Sequence, residues 1–245
     1  MLNLVIDIGN TRTKIALFNQ HDLMFNVPIE HLTVNHLKML KDEYVQLDKA
    51  ILSSVKKVDD EVLQFLHEQF RYFIELDHQT KLPLVNLYET PETLGKDRLA
   101  AAVGANELFP DQNILIIDAG TAITYDLVSE NNEFLGGNIS PGMKMRYKAL
   151  NQFTGKLPLV EYSDDFELVG GNTVDAIRSG VQNGIVYEMN GTIDSFNRIY
   201  ENLQIVMTGG DSIFFDKILN YTIFVHFNLT LIGLNRILEH NAEKK

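Results

Sequence analysis

Leu4-Val5-Ile6-Asp7-Ile8-Gly9-Asn10-Thr11-Arg12-Thr13-Lys14 and Leu115-Ile116-Ile117-Asp118-Ala119-Gly120-Thr121-Ala122-Ile123-Thr124-Tyr125 read as two copies of one device. Each is an apolar run ending in Asp-x-Gly, followed by a tight turn carrying Thr. A second strand-like run comes next, Ile15-Ala16-Leu17-Phe18 in the first copy and Asp126-Leu127-Val128 in the second. The aspartates stand 118 − 7 = 111 residues apart. Such a hairpin offers backbone N–H groups and hydroxyls at its turn, with a carboxylate fixed beside them, which suits a phosphate chain and its metal ion. Two hairpins facing each other would hold a nucleoside triphosphate between two related domains.

Working outward from these runs, the start of the chain predicts strands near 2–8, 13–19 and 23–28. A helix near 33–44, a strand at 49–54, a helix at 59–70 and a strand at 72–76 follow, with Val62-Leu63-Phe65-Leu66-Phe70 giving the helical period. A loop over 77–93 holds Pro83 and Pro91, and an alanine-rich helix from Gly95 to Leu108 closes at Pro110. The plan then repeats: strands near 113–118, 122–129 and 133–139, helices near 142–152 and 173–201, a strand at 204–208, a helix at 212–219, a strand at 222–226 and a last helix at 229–240. Three strands and then alternating helix and strand, twice over, is a duplicated α/β organisation. The expected domains are 1–110 and 111–245.

The bulk numbers narrow the function. A chain of 245 residues with 45% hydrophobic and 22% charged residues has the make-up of a soluble globular protein with room for two modest cores. It has no Cys, so disulfides and thiolate metal sites are excluded and an intracellular setting is expected. No basic region precedes an apolar stretch with a cleavage site, which points to a cytoplasmic protein. The longest apolar stretch, Tyr221 to Leu234, is too short for a membrane span and is broken by His226 and Asn228. A formal net charge of −12 argues against nucleic acid as a partner, because phosphate backbones demand basic clusters.

Chemistry concentrates in a few segments. In Asp7 to Lys14, Gly9 permits backbone angles closed to other residues, and Arg12 and Lys14 place positive charge beside the turn. Asp7 and Asp118 end strands, where a carboxylate holds Mg²⁺ or another hard cation directly or through water. Gly95-Lys96-Asp97-Arg98 opens a helix. An acid there complements the helix dipole, yet this one is also set between two cations after a glycine. Such an aspartate stays ionised and accepts a proton from a substrate hydroxyl, while Arg98 or Lys96 meets an anionic group. In a loose phosphoryl-transfer transition state, orientation contributes more than base strength.

Three glycine-rich segments admit two readings each. Gly136-Gly137-Asn138-Ile139-Ser140-Pro141-Gly142 is explained by a strand-to-helix turn with Ser140 as cap and Pro141 in the first helical position, or by backbone left open to a ligand. Gly170-Gly171-Asn172-Thr173 has the same ambiguity: Asn172, with Asp175 three residues on, is a sufficient helix cap, and the segment alone does not make Thr173 a substrate contact. Thr208-Gly209-Gly210-Asp211, after the strand Ile205-Val206-Met207, is a tight β–α turn or the place where adenosine lies against backbone. The seven His show no ligand spacing.

Taken in this order, Asp7-Ile8-Gly9-Asn10-Thr11, Gly95-Lys96-Asp97-Arg98, Asp118-Ala119-Gly120-Thr121, Gly136-Gly137-x-Ile139-x-Pro141-Gly142 and Thr208-Gly209-Gly210 closely resemble the type III pantothenate kinases, of the acetate and sugar kinase/Hsp70/actin superfamily. The match runs from Asp7 to Leu231-Ile232-Gly233-Leu234. The resemblance implies duplicated ribonuclease H-like (actin-like ATPase) domains with a nucleotide cleft between them, and transfer of the ATP γ-phosphate to the primary hydroxyl of pantothenate, the first step toward coenzyme A. It implies Asp7, Ile8, Gly9, Asn10, Thr11, Arg12, Thr13 and Lys14 as the phosphate-binding loop, Thr121 as an ATP contact and Asp97 as the proton acceptor. The pantothenate pocket would be lined by Gly95, Lys96, Asp97, Arg98, Tyr88 and Thr173. Asp118 would bind the monovalent cation, K⁺ or NH₄⁺, required besides Mg²⁺, and the protein would be a homodimer with the substrate site near the subunit interface.

The residues by themselves reach as far as an ATP-dependent small-molecule kinase. Rival readings are another kinase or a phosphatase of the same superfamily, and a nucleotide-binding accessory or regulatory protein without turnover. Asp97 and the acidity of the chain speak against the accessory reading.

Overall fold

The computed structural model describes residues 2–243, which form two compact units. The first comprises the chain up to Pro110, Asn132–Leu135 and the segment from Asn228 onward; the second comprises Asp111–Asn131 and Gly136–Phe227.

In the first unit, β1 (Leu2–Ile8), β2 (Thr13–Asn19) and β3 (Asp22–Ile29) form an antiparallel meander. Helix α1 (Val34–Glu43) leads to β4 (Leu47–Ser54), parallel to β1, and α2 (Asp60–Gln69) to β5 (Tyr72–Glu75), parallel to β4. The sheet order is β3-β2-β1-β4-β5. Leu4, Val5 and Ile6 in β1 and Ala50, Ile51 and Leu52 in β4 are wholly buried. Continuous apolar runs of this kind mark central strands covered on both faces. Leu4, Ile6, Leu17 and Leu52 share a core with Leu37 of α1 and Val62 and Leu66 of α2. The chain continues through β6 (Val85–Asn86) and a turn of 3₁₀ helix at Pro91–Thr93 into α3 (Lys96–Leu108).

The second unit opens with β7 (Ile114–Ala119) and β8 (Ala122–Val128), paired antiparallel, and β9 (Glu133–Pro141). Helices α4 (Met143–Gln152) and α5 (Thr173–Asn197) precede β10 (Gln204–Thr208), parallel to β7. A short α6 (Ser212–Asp216) leads to β11 (Phe224–Val225), parallel to β10. The order β9-β8-β7-β10-β11 repeats that of the first unit. The repeat is therefore one of topology as well as of sequence. Its core gathers Leu115 and Ile117 of β7, Tyr125 of β8, Tyr147 of α4 and Ile185 and Met189 of α5.

The last helix, α7 (Leu229–Ala242), contacts α3, β1 and β4 of the first unit. Division of the chain at Asp111 assigns this helix to the second half, whereas it belongs to the first unit. Its docking on α3 runs backbone to backbone. A Cβ added at Gly104 would stand 2.2 Å from the Leu229 carbonyl oxygen, and one at Gly233 would stand 1.8 Å from that of Ala100. With Ala100, Ala101, Ala102 and Ala105 also buried, this crossing has no room for larger residues. Asn3 of β1 donates to Asn235 Oδ1 (2.8 Å) and Glu239 Oε1 (3.3 Å), fixing the helix over the strand.

Several local expectations change. The 77–93 loop contains β6, which pairs with Glu133 and Phe134 at the start of β9. Strand β9 runs on to Pro141, so Gly142, not Ser140, precedes α4, and Pro141 ends a strand instead of opening a helix. The Ser140 hydroxyl is engaged by Arg146, and a proline at a strand end forfeits no ladder bond. The long helix stops at Asn197, and the strand over 222–226 shortens to Phe224–Val225. Among the described residues no helix is long and apolar enough to cross a membrane.

Candidate active site

The first hairpin places Asp7 opposite Lys14 and Ile8 opposite Thr13, with Gly9, Asn10, Thr11 and Arg12 forming the turn. The Gly9 N–H donates to the Arg12 carbonyl at 3.0 Å. Gly9 does not use the left-handed region that glycine permits. Crowding is what sets it apart, since a Cβ there would lie 3.2 Å from the Arg12 oxygen. Thr11 and Arg12 are exposed at the tip, and Thr13 is buried. Sequence reasoning missed Lys56, whose Nζ donates to the Asn10 carbonyl at 2.7 Å and adds a third cation to the turn. The neighbouring Val55 N–H bonds Ile8 O at 3.1 Å, so the end of β4 backs the loop.

Asp7 is partly exposed as a residue, but its carboxyl lies deep enough that burial pushes its pKa up to about 6. Lys14 across the hairpin pulls it down, and Asp97 pushes it further up. The fold thus brings the end of β1 and the start of α3 within electrostatic reach, although the two acids are 90 residues apart in sequence (97 − 7).

At that helix start Gly95 is the N-cap and Asp97 lies in the first turn, where unpaired N–H groups favour negative charge. One carboxylate oxygen of Asp97, Oδ1, accepts the Arg98 backbone N–H at 2.8 Å. A Cβ on residue 95 would come within 2.6 Å of that same oxygen, so a bare backbone there leaves the carboxylate its position. Arg98 is buried, with its guanidinium carbon 5.5 Å from the centre of the Tyr88 ring, a cation–π pairing. Tyr88 is held in turn by Asn86 Oδ1, which accepts its N–H at 3.0 Å, and by the Phe134 ring at 6.2 Å. The two-residue strand β6 therefore has a purpose: it presents Tyr88 to Arg98. Gly95, Lys96, Asp97, Arg98 and Tyr88 come together in the first unit.

The hairpin of the second unit is one residue tighter. Asp118 pairs with Thr124 and Ala119 with Ile123, leaving Gly120, Thr121 and Ala122 in the turn. The segment at 208–210 lies against it: Gly209 has φ +95°, and a Cβ there would be 2.5 Å from Asp118 Oδ1 and 2.3 Å from the Ala119 oxygen. The Asp211 N–H donates to Ala119 O at 2.9 Å, and burial pushes the Asp211 carboxyl up against the pull of Lys144. Gly142 reaches the same turn from another side, its N–H 3.2 Å from Thr121 O. Thr173 is the exposed first residue of α5, in the second unit, whereas the other expected pantothenate contacts are in the first. Asn172 caps α5 as expected, accepting the Asp175 N–H at 3.1 Å.

A sheet order used twice, each time with an aspartate at the end of the first strand and a polar turn beyond it, defines a protein of the actin-like ATPase fold. Solved structures agree on the fold: a Campylobacter jejuni protein provisionally named a Baf family transcriptional activator (22% identical, covering 98% of this chain and 99% of that one, TM-score 0.62) and a Listeria monocytogenes protein provisionally named an N-acetylmannosamine kinase (14%, 99% and 100%, TM-score 0.56). Comparison of sequences goes further. The family model for type III pantothenate kinase matches residues 3–195. The Type III pantothenate kinase of Bacteroides fragilis is 45% identical over 240 residues, 98% of either chain. The chain belongs to the type III pantothenate kinase family.

Proposed function

We propose that the chain transfers the γ-phosphate of ATP to the primary hydroxyl of pantothenate, giving 4′-phosphopantothenate on the route to coenzyme A. Family membership supports the reaction, and one arrangement supports the residue roles: the Asp97 carboxylate at the start of α3, within reach of Asp7 and beside the buried Arg98. The hydroxyl oxygen attacks the γ-phosphorus and the bond to the β-phosphate oxygen breaks. The hydroxyl proton passes to Asp97, and ADP leaves. Because the proton departs late in a loose transition state, an ordinary aspartate suffices if it aims the oxygen.

The turn from Asp7 to Lys14 holds phosphate through its N–H groups, hydroxyls and cations, and Thr121 contacts the nucleotide. Arg98 is buried in an acidic chain and pairs with the carboxylate of pantothenate, with Tyr88 setting the plane of its guanidinium. Asp7 fits Mg²⁺: its carboxyl is a hard donor whose ionised form is disfavoured by burial until a cation arrives. Mg²⁺ neutralises charge on the phosphates when bound with ATP. Asp118 takes the monovalent cation, K⁺ or NH₄⁺. Thr173 completes the pantothenate contacts.

The enzyme acts in the cytoplasm as a homodimer. Support for association comes from the number of large apolar side chains left exposed on the second unit, among them Phe153, Leu159, Leu168, Val169 and Tyr187. Light scattering that gives twice the mass of 27.8 kDa would agree with this. The activity itself is tested by coupling ADP release to NADH oxidation with pantothenate, a panel of sugars, acetate and water as acceptors. Turnover with pantothenate alone is expected; turnover with water or a sugar, or none at all, refutes the assignment.

A further inference from the structure

A charged network in the second unit lies outside every role assigned above. Arg146 of α4 donates through Nε to the Pro141 carbonyl at 2.8 Å and through Nη2 to Ser140 Oγ at 3.0 Å. The same Nη2 pairs with Glu188 Oε2 on α5. The other oxygen of Glu188, Oε1, accepts the hydroxyl of Tyr125 at 2.9 Å, and Tyr125 is buried in the core under β8. Four elements thus meet on one ion pair whose side chains are only 21% and 29% exposed.

What the pair secures is the strand-to-helix segment 140–142. Beyond Pro141 the chain reaches Gly142, which rests on the β7–β8 turn with no intervening side chain. Its N–H bonds Thr121 O at 3.2 Å, and a Cβ there would come within 2.3 Å of Gly120 O and 2.4 Å of Thr121 O. A backbone contact this close transmits displacement directly. If segment 140–142 shifts, Gly120 and Thr121 lose the surface that defines their position.

We infer that Arg146 and Glu188 are positioning residues for the nucleotide turn, acting through Ser140, Pro141 and Gly142 to hold Thr121 where ATP meets it. The inference rests on the reading of Thr121 as an ATP contact. Charge-assisted bonds suit this task, being shorter and stronger than neutral ones and directional at a planar guanidinium. Burial raises the Glu188 carboxyl, but bonds from Arg146, Ser140 and Tyr125 outweigh it and hold the group below the usual carboxylate range. These bonds favour the charged form of the Glu188 carboxylate.

The test compares Arg146→Gln, Arg146→Lys, Glu188→Gln and Ser140→Ala with wild type and with Thr121→Val. Mg-ATP binding is measured by calorimetry without pantothenate, alongside the KM for each substrate. Arg146→Gln is expected to weaken Mg-ATP by about ten- to a hundredfold, the scale of losing one hydrogen bond to a charged group. The KM for pantothenate should stay within about threefold, and Arg146→Lys should recover part of the loss. Ser140→Ala removes one bond without stranding a charge, so it keeps the test open if an Arg146 variant folds poorly; a several-fold loss of Mg-ATP affinity is expected. Unchanged ATP affinity in Arg146→Gln or Ser140→Ala, while Thr121→Val weakens it, overturns the inference and leaves the ATP site intact. Equal losses for both substrates overturn it too, because they report general loosening. If Thr121→Val binds ATP normally, the nucleotide reading of that turn fails and this inference falls with it.

Discussion

Asp7→Asn should make the ligand-free protein more stable, although it should also abolish turnover. Burial raises the Asp7 carboxyl from 3.8 to about 6, which means that the folded state holds its proton more tightly than the unfolded chain does. Folding then favours low pH. The stability present below pH 3.8 is lost as pH rises through 3.8 to about 6, and the curve is flat above that. A displacement of about two pH units corresponds to roughly 3 kcal/mol at about 1.36 kcal/mol per unit. Because Asp7 is partly exposed, solvent screening brings this down to about 1–2 kcal/mol. Asparagine has a similar shape and no charge to desolvate, so the variant regains that amount at pH 8. At roughly 2–4 °C per kcal/mol for a chain of this size, melting should rise by about 2–8 °C. Differential scanning calorimetry from pH 4.5 to 8 measures it directly, and the gap between variant and wild type should close as pH falls below 6. Saturating Mg-ATP should reverse the order, because only the wild type offers the cation a carboxylate. A variant that melts at or below wild type at pH 8, or a gap that is constant with pH, refutes the claim that burial of the Asp7 carboxylate outweighs the pull of Lys14.

Asp97→Asn is expected to lower kcat by at least about a hundredfold, within the range attributed to a positioned general base, while leaving Mg-ATP affinity near wild type; unchanged turnover removes Asp97 from the mechanism. Gly95→Ala tests its position: bringing the new Cβ from 2.6 Å to ordinary contact at 3.4 Å moves the carboxylate by about 0.8 Å. A displacement of that size should cost roughly ten- to a hundredfold in kcat, and full activity would show that the position of the acid is unimportant. Replacing Na⁺ by K⁺ should raise activity in wild type but not in Asp118→Asn, and equal rates for wild type in both salts would sink the cation assignment.

Much of this arrangement is written in local patterns. The runs at 4–8 and 115–119 are strands because they are apolar without interruption, and Asp-x-Gly ends them because a turn needs short polar residues. The start of α3 is equally plain from Gly95-Lys96-Asp97 ahead of a string of alanines. What was hidden depends on partners far away in sequence. Two residues, Val85 and Asn86, carry no periodicity and become a strand only because Glu133 and Phe134 pair with them. Ser140 has the chemistry of a helix cap, but an arginine six residues on claims its hydroxyl. The shared Asp-x-Gly pattern and spacing of the two hairpin sequences also conceal the shorter second turn, which only strand register reveals. Nothing local in Leu229–Ala242 says which sheet the helix covers. Gly104 and Gly233 were the available signal, since glycine inside a helix costs about 1 kcal/mol and needs a reason such as a close crossing.

The docking of α7 also sets an order of events during synthesis. Residues 111–131 and 136–227 are synthesised before Leu229, so every residue of the second unit exists before the first unit receives its last helix. The first unit has its sheet by Glu75, yet the side of β1 and β4 that α7 packs against must wait until more than a hundred further residues are translated. At typical elongation rates that interval is on the order of ten seconds. Throughout it, an unfinished apolar surface faces the crowded interior of the cell, and it is there, in the half that emerges first, that a nascent-chain chaperone has something to hold.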